Sequence, residues 1–123
     1  MKNIIVLIVT IVFVACGAQK TEHNVFGKWS VKFKSGPLAE VRFHKDGTHD
    51  YIVDGKLFSS GKSVFSNDTL KTFDPICNDE GEYYGIYKVD FLQGDSIRFI
   101  AIEDSCKPRV YDINNAVLHR INP

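Results

Sequence analysis

From Val25 onward the chain alternates apolar and polar residues in short runs, each cut off by Gly, Asp, Asn or Pro. Side chains along a strand point to opposite faces in turn, so runs of period two fold as half-buried strands. Val25, Gly27, Trp29, Val31 and Phe33 make the first inward row, opposed by outward Lys28, Ser30, Lys32 and Lys34. After Gly36-Pro37, Ala39, Val41 and Phe43 alternate with Glu40, Arg42 and His44, and Thr48 to Val53 returns. Lys56 to Ser66 and Thr69 to Phe73 flank Asn67-Asp68. Tyr83, Gly85, Tyr87, Val89 and Phe91 share a face with Ile97, Phe99 and Ala101 across the Gln93-Gly94-Asp95 turn. Arg109 to Ile113 and Val117 to Ile121 read as closing strands around Asn114-Asn115.

Eight or nine short strands joined by tight turns predict an all-β fold, a small antiparallel up-and-down barrel of about eight strands. Closure removes exposed sheet edges, and an eight-stranded interior just fits packed side chains or one small ligand. One register follows from sorting the faces. A two-residue Asp46-Gly47 loop would set Phe43 opposite Asp50. A three-residue loop with Gly47 in the left-handed position pairs Arg42 with Asp50 and Val41 with Tyr51, and brings His49 inward beside Phe43. Gly61…Asn67-Asp68-Thr69-Leu70-Lys71 and Gly85…Gly94-Asp95-Ser96-Ile97-Arg98 suggest one hairpin design used twice.

The N-terminus carries a different signal. Lys2 precedes an apolar run from Ile4 to Ala15 of about twelve residues, short of the roughly twenty needed to span a bilayer. Phe13-Val14-Ala15-Cys16 resembles the lipobox of bacterial lipoproteins, with Phe13 in place of the usual Leu. The resemblance implies acylation of Cys16 and removal of residues 1–15; the polar, non-periodic stretch that follows reads as a tether over 16–24, ahead of a domain over 25–123. With Gly17 rather than Asp after the cysteine, the expected site is the cell envelope, at the outer membrane, with either face open. Cys77 and Cys106 are then an even pair in a compartment that permits disulfides, and a bridge between them is expected. Without Lys2, fourteen basic residues face fifteen acidic ones. No basic patch or tail speaks for nucleic acid.

Phe26-Gly27-Lys28-Trp29 carries the Gly-x-Trp of the lipocalins. Phe43…Asp46-Gly47-Thr48…Tyr51, Gly85-Ile86-Tyr87, Asp104-Ser105-Cys106-Lys107-Pro108-Arg109 and Leu118-His119-Arg120 resemble the small lipocalin-like domains of bacterial lipoproteins. The resemblance implies a barrel plugged at one end by Trp29, with Arg120 lying across its indole. The chain is shorter than true lipocalins and lacks their Thr-Asp-Tyr loop and C-terminal helix pattern. A second resemblance, to META-type domains through Cys77-Asn78…Gly85-Ile86-Tyr87…Cys106, implies a helix after the second cysteine, where Arg109 to Ile113 reads as a strand.

Trp29, Phe43, His49, Tyr51, Tyr87 and Phe99 either line a pocket for a small apolar molecule or fill the barrel as core. Asp74, Asp79, Glu80, Glu82, Glu103 and Asp104 read as a solvated acidic rim, since no spacing matches a calcium loop. No Gly-x-Ser-x-Gly elbow, His-x-x-x-His pair or Gly-rich phosphate loop is present, and His49 alone qualifies as a catalytic group. The expectation is a non-enzymatic, membrane-anchored barrel without metal or cofactor. It binds a small hydrophobic molecule, or it serves filled, as a protein-interaction or envelope-structural module.

Overall fold

A computed structural model describes residues 23–77 and 83–121. The expected signal peptide, Cys16 and acidic Asp79, Glu80 and Glu82 lie outside those residues. Eight strands follow in order: β1 (Gly27–Lys32), β2 (Leu38–Phe43), β3 (Thr48–Val53), β4 (Lys56–Ser66), β5 (Thr69–Phe73), β6 (Gly85–Leu92), β7 (Ser96–Glu103) and β8 (Val117–Arg120). Each pairs antiparallel with its sequence neighbour, and β8 returns to β1 through Trp29 and Arg120, closing the barrel. The all-β, up-and-down architecture expected from the alternation is the one observed.

The turns set the registers. Gly47 has φ of 88°, and the pairs Val41–Tyr51, Arg42–Asp50 and Phe43–His49 follow. A residue with a Cβ is strained at that φ, so the three-residue loop depends on glycine there. Asn67 and Asp68 both take positive φ, the backbone of a tight two-residue hairpin, and join β4 to β5. Two bulges interrupt the ladders. Tyr51 pairs with Ser59 while Ile52 pairs with Leu57, which turns Phe58 out of register. Ile102 is likewise skipped between β6 and β7. Both residues are largely exposed.

One segment differs from expectation. Arg109 to Ile113 is not a strand but part of a helix, α1 (Lys107–Ile113). Alternating Val110 and aromatic Tyr111 imitate a strand, yet the residues that α1 buries are Arg109 and Ile113, four apart on one helical face. Pro108 sits in the first turn, where a missing N–H costs nothing. Cys106, directly before the helix, is bridged to Cys77 at the end of a 3₁₀ turn, Pro75–Cys77, with Cα atoms 5.6 Å apart. That bridge and one buried helical face override the local strand pattern.

Candidate functional site

The chain direction places the starts of β1, β3, β5 and β7 at one end of the barrel and α1 at the other. At the first end the Arg120 guanidinium lies 4.2 Å from the Trp29 ring centre. It donates to the Phe26 carbonyl at 2.7 Å, to that of Asn24 at 3.3 Å and to Asp95 at 2.9 Å. Gly27, with φ of 120°, leaves the space: a Cβ there would stand 2.9 Å from an Arg120 nitrogen. The indole N–H donates to the Val25 carbonyl, so the buried ring has no unpaired polar atom.

The interior is lined by Trp29, Phe43, His49, Tyr51, Tyr87 and Phe99, all buried; the last five are joined by edge-on or tilted ring pairs, and Trp29 packs in the same core. Around His49 runs a chain of polar groups that the sequence did not single out. Ser63 on β4 meets His49 Nδ1 at 2.5 Å, and Asp74, just after β5, meets Nε2 at 2.6 Å. Thr72 lies 3.4 Å from the Ser63 hydroxyl, so the hydrogen-bonded series runs Thr72, Ser63, His49, Asp74. The second Asp74 oxygen accepts from Arg109 of α1 at 3.2 Å. Arg109 also forks onto Asp104 at 2.7 and 2.8 Å, and the Tyr87 hydroxyl donates to Asp104. Asp74 and Asp104, expected on a solvated rim, are instead buried and joined through one guanidinium.

Electrostatics follow from that burial. Burial pushes the Asp104 carboxyl up, but hydrogen bonds from Arg109 and Tyr87 outweigh it and hold its pKa below the ordinary value. Burial, then the bond to Asp104, raises the Tyr87 phenol well above its usual range. Burial opposes the Arg109 charge, yet the two carboxylates hold the guanidinium more firmly protonated than usual. Every buried side-chain polar atom among the described residues has a partner.

Ser63, His49 and Asp74 in series have the connectivity of a nucleophile, base and orienting acid. The surroundings do not suit that role. His49 has no exposed surface and Ser63 very little. Neither lines the clefts described below. Glycine inside the strands was the signal available in the sequence. A Cβ on Gly61 would collide with the Phe73 carbonyl and stand 2.7 Å from the His49 ring. One on Gly85 would stand 2.5 Å from Asp104 and 2.8 Å from Arg109. The two glycines of the repeated hairpin design thus both clear room for this buried polar chain.

No family model, curated protein or solved structure matches the chain.

Two recesses lie at the ends, and a third of about 300 Å³ lies on the outer wall of β1 to β3 beside Leu38, Ile52 and Ile121. Against α1 is a cleft of about 90 Å³ walled by Phe33, Tyr51, Phe58, Ile76, Pro108 and Ile113. The bulge in β4 supplies Phe58, and the bridged 3₁₀ turn supplies Ile76. At the Trp29 end a wider recess of about 630 Å³ lies between Asn24, Phe91, Ile97 and Arg120. Of the six interior residues named from the sequence, only Tyr51 borders either space. Among the described residues no group of acidic, His and Cys side chains is placed to hold a metal.

Proposed function

We propose that the chain is a lipid-anchored, non-catalytic module of the cell envelope, a filled barrel that presents its α1 end to a protein partner. The single observation behind the reading is the interior. Trp29, Phe43, His49, Tyr51, Tyr87 and Phe99 pack against one another, leaving the working surface at the rim. A drug-sized ligand needs a cavity of about 300–1,000 Å³, larger than the α1 cleft.

The lipobox-like Phe13-Val14-Ala15-Cys16 supports acylation of Cys16 and residence at the outer membrane. Asn24 is bonded to Arg120 at the Trp29 end, so a tether from Cys16 would leave there. The seven residues Gly17 to His23 reach about 25 Å at most. The α1 end is then the end farthest from the attachment point, and the one we assign to a protein partner. Leu57, Phe58, Ile76 and Tyr111, all more than half exposed, stand at that end, and Phe58 and Ile76 share one cleft.

A second reading, carriage of a small apolar molecule, is favoured by the 630 Å³ recess beside Phe91 and Ile97, which falls within the usual range for ligand sites. One experiment separates them. Photo-cross-linking residues are placed at Phe58, Tyr111 or Lys88 of the full chain, expressed in its own cell, and the purified protein is weighed by native mass spectrometry. The interaction module yields protein adducts from Phe58 and Tyr111, none from outward Lys88, and no retained small molecule. A stoichiometric small molecule without adducts would establish the carrier instead.

A further inference from the structure

Resting on the interaction reading, the α1 cleft carries enough detail to define what it receives. Tyr51 is 8% exposed and lies on the cleft wall. Among the described residues its hydroxyl has no hydrogen-bond partner, whereas every fully buried side-chain polar atom has one. That hydroxyl therefore opens into the cleft. Burial, then the negative charge of Asp74, keeps the phenol protonated far above its usual range. It is a donor awaiting an acceptor, set among apolar walls.

Size and charge narrow the occupant. A cleft of about 90 Å³ walled mainly by apolar side chains suits a branched aliphatic chain. The charged groups lining the cleft are Asp74, Asp112 and Arg109, with Asp104 behind Arg109 and His49 bonded to Asp74. Arg109 is already shared between Asp74 and Asp104, so the cleft is negative in sum. A fatty-acid carboxylate is disfavoured there, and a cationic neighbour is favoured. Phe58 and Ile76 on the cleft wall are themselves more than half exposed, which leaves more apolar surface at the rim than a small amine would cover. A buried anchor side chain ringed by flatter contacts is the usual anatomy of a protein contact.

We propose that the cleft receives one branched aliphatic side chain from an extended, basic segment of a protein partner, with a backbone carbonyl of that segment accepting the Tyr51 hydroxyl proton. The probe is the blocked pentapeptide Ala-Lys-Leu-Lys-Ala, titrated into the ¹⁵N-labelled full chain and followed by amide chemical shifts. Controls are the same peptide with Ala for Leu, the peptide with Glu for both Lys, and sodium oleate. Saturable shifts at Ser59 and Ile113 are expected with the first peptide, and binding at least about tenfold weaker with either altered peptide. Tyr51→Phe removes only the hydroxyl. It should weaken the leucine peptide by roughly three- to tenfold, one neutral hydrogen bond, while leaving the melting temperature near that of the parent.

Equal binding of the Ala peptide would overturn the anchor. An unchanged affinity in Tyr51→Phe would overturn the carbonyl contact, and saturable oleate shifts at Ser59 would replace the peptide by a lipid. If no peptide binds while cross-links from Phe58 persist, the inference fails and the interaction reading stands. If both are absent, the reading itself falls.

Discussion

At the Trp29 end, closure comes from near neighbours in the sheet: Arg120 on β8 lies across Trp29 on adjacent β1 and reaches main-chain carbonyls just before it. At the α1 end it comes from residues scattered along the chain. His49, Ser63, Asp74, Tyr87, Asp104 and Arg109 meet there, held by a bridge across 29 residues of sequence. The first arrangement is a lid over a finished core. The second puts buried charge where an apolar plug would have sufficed. Buried ion pairs add little net stability over well-packed apolar groups, but they are costly to break singly. The second arrangement holds α1 in a fixed pose beside the cleft, as the proposed interaction surface would require.

Breaking the two ends in turn should give unequal losses, measured by denaturant unfolding. Arg109→Ala leaves Asp74 and Asp104 buried without their cation and should cost about 3–5 kcal/mol. A loss below about 1 kcal/mol would mean that water reaches both carboxylates. Cys77→Ser should cost about 3–4 kcal/mol in the chain-entropy view, and the melting temperature of the parent should drop under reducing conditions. Arg120→Ala, at the other end, removes a partly exposed stacking cation and should cost about 0.5–2 kcal/mol. An Arg120 loss matching that of Arg109 would erase the contrast between the ends.

The smallest signal is in pH. Asp104 is depressed in the folded state relative to an unfolded value of about 3.9. Its contribution is therefore fully present above that value and is lost as pH falls through the lower, folded one. Asp104→Asn should flatten the acid limb of the stability curve below about pH 4. An unchanged limb would assign acid sensitivity to other carboxylates, of which Asp50, held low by Ser60 and His44, is the next candidate.

The contrast between the ends is also a contrast in what the sequence discloses. Inward rows and turn residues are local, so the β2–β3 register with Gly47 could be read residue by residue. His49 could be placed beside Phe43 for the same reason, but its partners could not be named. Ser63 and Thr72 face inward by parity, yet which buried group each meets depends on how the barrel closes. Asp74 and Asp104 looked like loop acids because their cation arrives from a segment that reads as a strand. Only Gly61 and Gly85, bare positions within strands, hinted that something bulky crosses there.

The central claim, an interior occupied by the protein's own side chains, is tested most directly through the single tryptophan. The indole N–H resonance of Trp29 in the ¹⁵N-labelled full chain should stay fixed as a hydrophobic probe such as oleate or retinol is titrated to saturation. A saturable shift of that resonance, with an intact barrel, would show that the probe enters among Trp29, Phe43 and Phe99 and would contradict the filled interior.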